Sequence, residues 1–201
     1  SKGSAAQLVE SLTNDALGRA DQVQGGFGEQ TKFPSTPQLD FLLDSYHRQS
    51  SAELHNFLTT TLDQMAALGL RDHIGGGFFR YTTDPDWHTP HFEKMLYDNA
   101  QLARVYLRAA DVLQRPDYRE VVSDTLQFMQ RELLTDEGAM VGSLSAVDDS
   151  NIEGGYYLWS REELNKILND DENSIVEKAW LGKSAASFDA GYLPVWQQGS
   201  A

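Results

Sequence analysis

Three long connections interrupt an otherwise helix-periodic chain, and they constrain the fold more than any other feature. They read QGGFGEQTKFP (residues 24–34), IGGGFFRYTTDPDWHTPHF (74–92) and DEGAMVGSLSAVDDSNIEGGYYLW (136–159). Adjacent glycines suit tight turns at positive φ, which other residues adopt only at a cost. The aromatics beside them, Phe27, Phe33 and Phe78, read as loop-anchoring core rather than as ligand stackers. Neither GGFG nor GGGFF has the strand-then-helix context or the lysine spacing of a phosphate loop. Phe27 to Phe78 is 51 residues and Gly77 to Gly138 is 61, so the connections recur at about the length of a helix pair.

Between the connections the apolar residues follow helical spacing. Leu8, Leu12, Ala16 and Ala20 mark a helix over residues 5–22, and Thr36 before Pro37 opens another over 37–49. SSAE at 50–53 has capping-box form and starts a helix over 51–68 carrying Leu54, Phe57, Leu58, Leu62 and Met65. Residues 94–113 are apolar over much of their circumference, which predicts burial on several sides. Residues 117–134, opened by DYRE, instead show one stripe of Tyr118, Val122, Met129 and Leu133. This contrast predicts an inner and an outer layer of helices. Two short strands at 139–145 and 155–159 read as a β-hairpin, and SREE at 160–163 caps the first of two terminal helices. The expected organisation is one mainly α domain over residues 1–201. Helical hairpins occupy about 5–68 and 94–134, a β-hairpin about 139–159, and terminal helices about 160–181. Such pairs, joined by glycine-rich loops, suggest a partial α/α toroid, with bundles and solenoids as alternatives. A pocket would form at the loop end of the inner helices.

Composition narrows the partners. The formal charge is −14 with no compensating basic cluster, so nucleic acid and anionic membrane surfaces are not expected. No apolar run is long enough to span a bilayer, and the first twenty residues contain no leader-like apolar stretch. The chain has no cysteine, which removes thiol chemistry, thiolate metal sites and disulfides.

GGFGEQTKFPSTPQLDFLL, DHIGGGFFRYTTDPDWHTPHFEKMLYDNAQLA and EGGYYLW resemble the YyaL-like family, which includes the spermatogenesis-associated, thioredoxin-domain-containing proteins of animals. The resemblance runs from about Gly25 onward. It implies a six-hairpin glycosidase-like toroid that follows a thioredoxin-like domain. The present segment would lack that domain and cover about half the ring. The resemblance departs at two places: Phe79 stands where the family commonly has histidine, and VDDSNIEGG at 147–155 is shorter than the usual acidic loop.

WHTPHFEKMLYDN at 87–99 concentrates the candidate chemistry. His88, His91, Glu93 and Asp98 supply the imidazoles and carboxyl groups that acid–base catalysis on a sugar requires. Tyr81 and Trp87 could stack on a sugar ring, while Arg80 and Lys94 could hold a carboxylate or tune a neighbouring carboxyl group. The function expected is carbohydrate-active, isomerase- or hydrolase-like. The alternative is a non-catalytic module that positions a thioredoxin-like domain or its client. A zinc site would need His73 to fold in across the hairpin as a third ligand, so neither metal nor cofactor is expected. A purely architectural reading also stands: Pro90–Phe92 would start a helix, Glu93 would suit its dipole, and Lys94 would pair with Glu93 or Asp98. Apolar surface left by the incomplete ring predicts homo-oligomerisation, and a sugar ligand and a thioredoxin-like domain are the other expected partners.

Overall fold

The computed structural model describes residues 4–181 and 187–196. Seven helices are described: α1 (Ala5–Leu17), α2 (Thr36–Arg48), α3 (Ala52–Ala67), α4 (Leu96–Val112), α5 (Tyr118–Phe128), α6 (Arg161–Ile167) and α7 (Asp170–Val176). α5 runs into a π-helical turn at Met129–Leu133, and α7 into another at Glu177–Leu181. α2 packs against α1, α3 and α4, and α4 packs against α2 and α5. The inner pair is therefore α2 and α4, with α1, α3 and α5 outside.

The core sits between these layers. Leu39, Leu42 and Leu43 of α2 meet Leu54, Phe57, Leu58, Leu62 and Met65 of α3 and Leu102, Val105, Tyr106 and Ala109 of α4. Each fully buried leucine contributes about 1.5–3 kcal/mol. Tyr106 brings one polar group inside, and its hydroxyl donates to the Leu62 carbonyl at 2.7 Å. α4 is not buried all round. Tyr97, Gln101, Arg104 and Leu107 form an exposed stripe, because only two of its flanks meet other helices. Arg104 and Arg108 on that side pair with Asp40 and Asp44 of α2.

Several local expectations shift. The first helix ends at Leu17 rather than residue 22, and Leu8 and Leu12 are exposed. Ser51, not Ser50, caps α3 by accepting from the Leu54 amide. Asp117 does not cap α5, because its carboxylate is engaged by Arg115. The cap expected at Ser160 forms as a full capping box with Glu163, and further boxes form at Ser4–Gln7 and Asn169–Glu172.

Six two-residue strands are described: β1 (Tyr81–Thr82), β2 (Pro90–His91), β3 (Lys94–Met95), β4 (Ser143–Leu144), β5 (Ser187–Phe188) and β6 (Gly191–Tyr192). The expected hairpin between 139–145 and 155–159 is not formed. β4 pairs antiparallel with β3 instead, and Trp159 bridges to Tyr192. Strand register here is set across connections, information that local alternation does not carry.

The glycine connections fold alike. In the first, Asp21 Oδ1 accepts from the Val23 and Gln24 amides, and Gly25 and Gly26 take φ of +73°. In the second, Asp72 Oδ1 accepts from Ile74 and Gly75, and Gly76 and Gly77 take φ of +77° and +74°. A lysine ammonium closes each loop. Lys32 Nζ donates to Asp21 Oδ2 and the Gly25 carbonyl, both at 2.6 Å. Lys94 Nζ donates to Asp72 Oδ2 and the Gly76 carbonyl, both at 2.7 Å. As expected from the sequence, Phe27 and Phe78 anchor the two turns, Phe27 on Phe57 and Phe78 on Tyr106.

Candidate acid and base site

The eight candidate residues separate into a cluster and three outliers. β1 and β2 pair Tyr81 with His91, and this register folds the middle of the second connection back onto its end, just ahead of α4. Arg80 donates to Glu93 Oε2 at 2.9 Å. His91 Nδ1 lies 2.8 Å from Glu153 Oε1. A carboxylate can only accept, so Nδ1 carries the proton of that bond and Nε2 is left as the free ring nitrogen, 3.8 Å from Glu93 Oε2.

Asp98 lies in the first turn of α4, within electrostatic reach of Arg80 and Glu93. Its Oδ2 is buried with no hydrogen-bond partner among the described residues. Burial disfavours the charged form, and Glu93 adds to that effect. Arg80 opposes it only in part, so the carboxyl is pushed up to about 6. A carboxyl group that titrates there can both give and take a proton near neutral pH.

The aromatic side of the cluster differs from expectation. Phe33, Tyr81 and His91 form a column, with centroids 4.7 Å apart for Phe33–Tyr81 and 5.0 Å for Tyr81–His91. Both faces of Tyr81 are therefore covered, and it cannot stack on a sugar. Phe33, expected in the core, is 47% exposed and ends the column with an open face. Tyr97 is equally exposed and lies beside Arg80. Phe33, Tyr97 and Glu153 are the cluster members that the sequence did not nominate. Glu153 is 62 residues from His91, and no local pattern links the two.

Trp87 is a correction. It is 0% exposed, held at φ +63°, with its ring against Gly26 and its Nε1 donating to the Gln24 carbonyl at 2.8 Å. It wedges the second connection into the first. The turn around it is organised by Asp84, whose carboxylate accepts from the amides of Asp86, His88 and Thr89. Lys94 is a second correction. It is 1% exposed, bonded to Asp72 rather than Glu93 or Asp98, and its ammonium faces the rings of Phe79, Phe128 and Tyr157. It underlies a cavity of about 410 Å³ lined by Tyr156, Tyr157 and Trp159. His88 also leaves the cluster. It lines a separate cavity of about 760 Å³ with Arg71, His73, Trp180 and Trp196. His88 and His91 thus do not converge as a metal pair. His73 folds back onto the Leu68 carbonyl, and burial lowers its pKa to about 4.

No family model matches the chain. Over 160 residues, 74% of its length, the chain is 40% identical to spermatogenesis-associated protein 20 of Homo sapiens, of which it spans 20%. It is 35% identical over 96% of its length to an uncharacterized protein of Caenorhabditis elegans, spanning 27% of that relative. The chain therefore corresponds to about a fifth to a quarter of these curated relatives. Among solved structures it is similar to a sugar epimerase from a ruminal bacterium, with TM-score 0.61 and 12% identity, covering 69% of this chain and 40% of that one. A cellobiose 2-epimerase from Spirochaeta thermophila gives TM-score 0.60 and 15% identity, covering 70% and 40%. At these identities the likeness is one of fold, and the fold is a partial α/α toroid.

Proposed function

The chain is a homologue of a segment of spermatogenesis-associated protein 20, and from that premise we propose that it carries part of an acid–base site acting on neutral sugars, of the isomerase or epimerase kind. The observation that carries this reading is Asp98, a half-buried carboxyl group raised to about 6 within electrostatic reach of Arg80 and Glu93, the latter 3.8 Å from the carboxylate-held His91. The two named ring neighbours are sugar epimerases, which supports the class of chemistry by fold only.

Epimerisation beside a carbonyl needs a base to remove the carbon-bound proton and an acid to return one. His91 Nε2, oriented by Glu153, suits the first task, and Asp98 suits the exchange of a proton with oxygen or carbon. The open face of Phe33 offers a platform for the apolar side of a sugar ring. Charge supports a neutral substrate: one guanidinium, Arg80, stands among Glu93, Asp98 and Glu153, which disfavours phosphorylated or acidic sugars.

The test is incubation of glucose, mannose and cellobiose with the protein in D₂O. Mass spectrometry should find one deuterium incorporated beside the carbonyl, at a rate at least about 10²-fold lower in Asp98→Asn. Sugar binding without any exchange would overturn the reading.

A further inference from the structure

The third connection repeats the loop seen twice before. Asp148 Oδ1 accepts from the Ser150 and Ile152 amides, both at 2.9 Å, as Asp21 Oδ1 and Asp72 Oδ1 accept from theirs. The Asp148 amide donates to the Ile152 carbonyl four residues on, where the Asp21 and Asp72 amides donate five residues on, to Gly26 and Gly77. The flanking bridge is present in all three: Ala20 to Phe27, Arg71 to Phe78, and Val147 to Glu153. Asn151, three residues after Asp148, takes φ of +61°, whereas the earlier loops place paired glycines at positive φ four and five residues after their aspartates.

Two components differ: the third loop is one residue shorter, with its second amide donor four rather than three residues after the aspartate, and its carboxylate lacks an ammonium among the described residues. In the first two loops the second carboxylate oxygen is held by a lysine ammonium that also takes a loop carbonyl. No donor reaches Asp148 Oδ2 among the described residues. Gly155 lets its backbone pack directly against that carboxylate, since a Cβ there would stand 2.1 Å from Oδ2. The two closing lysines share an origin: Lys32 lies four residues before α2, and Lys94 two residues before α4, each just ahead of an inner helix. Both are carried on extended backbone, Lys32 pairing with Thr82 and Lys94 with Leu144.

We propose that the Asp148 loop is a socket for a lysine ammonium presented just ahead of a helix, the third of a series in which each glycine-type loop is closed by the segment that starts the next inner helix. The occupant is the next inner-helix segment of the ring. The epimerase neighbours, of which this chain covers 40%, have room for such a segment. The twice-repeated ligation of an ammonium by the same loop within one chain is what assigns the chemistry. An exposed aspartate alone would not.

The probe is Nα-acetyl-lysine N-methylamide, titrated into ¹⁵N-labelled protein at constant ionic strength, with the norleucine analogue as the uncharged control. The lysine compound should move the Ser150, Asn151, Ile152 and Gly155 amides saturably, and the norleucine compound should leave them in place. Asp148→Asn keeps the Oδ1 acceptor that holds the loop and should weaken the response at least tenfold. Gly155→Ala, which displaces the carboxylate, should do the same. No saturable shift, equal shifts with norleucine, or a response unchanged in both variants would each overturn the socket.

Discussion

Lys94→Met should be among the most damaging single substitutions that leave the helices untouched. The ammonium is 1% exposed and its partner Asp72 is 8% exposed, so water screens the pair little. Removing the cation strands a carboxylate in that environment, and breaking such a pair costs about 3–5 kcal/mol. Asp72 Oδ1 keeps its two amide donors, which places the expected loss at the lower end, about 3 kcal/mol. For a chain of this length that corresponds to a fall in Tm of about 6–12 °C. Adding Asp72→Asn removes the stranded charge and preserves the Oδ1 acceptor, so the double variant should regain at least about 1 kcal/mol over the single one. The assay is urea unfolding followed by tryptophan fluorescence and circular dichroism, with the m-value checked for constancy. A single variant within about 1 kcal/mol of the wild type, or a double variant no better than the single one, would refute the view that these pairs hold the loops closed.

Other consequences can be measured on the same protein. Asp98 holds its proton up to about 6 when folded but releases it near 3.8 when unfolded, so its contribution to stability is full below about 4 and is lost as pH rises through 6. Asp98→Asn should remove that decline from thermal melts recorded across the range. His73 acts in the opposite direction. The unfolded chain takes up a proton near 6.5 that the folded protein refuses until about 4, so its contribution is full above 6.5 and falls away toward pH 4, by about 3 kcal/mol. His73→Leu should flatten that acid limb. Gly77→Ala would place a Cβ 2.3 Å from Phe128 Cδ1 at φ +74° and should cost about 2–5 kcal/mol in chemical denaturation. Gly138→Ala, at φ +82° with open space around it, should cost only about 1–2 kcal/mol.

The sequence made the helices and the glycine turns legible because both are local. Leu54, Phe57, Leu58, Leu62 and Met65 fall on one face by spacing alone, and paired glycines announce positive φ. What escaped depends on contacts between connections. Trp87 looked like a ligand stacker, but the first connection buries it. Lys94 looked like a neighbour of Glu93, but strand alternation turns it to the opposite side, toward Asp72. β4 found β3 rather than a hairpin partner. The acid–base cluster was half legible: Arg80, His91, Glu93 and Asp98 lie within nineteen residues of one another, whereas Phe33 and Glu153 come from the flanking connections. The resemblance in sequence supplied the ring, which periodicity left open between toroid, bundle and solenoid.

The most direct test of a neutral-sugar site around Asp98 is saturation-transfer NMR with glucose, mannose, cellobiose and glucose 6-phosphate. The geometry predicts transfer to at least one neutral sugar, little to the phosphorylated one, and a weaker signal in both Phe33→Ala and Asp98→Asn. Absence of transfer to every neutral sugar, or a signal that neither substitution changes, would contradict it.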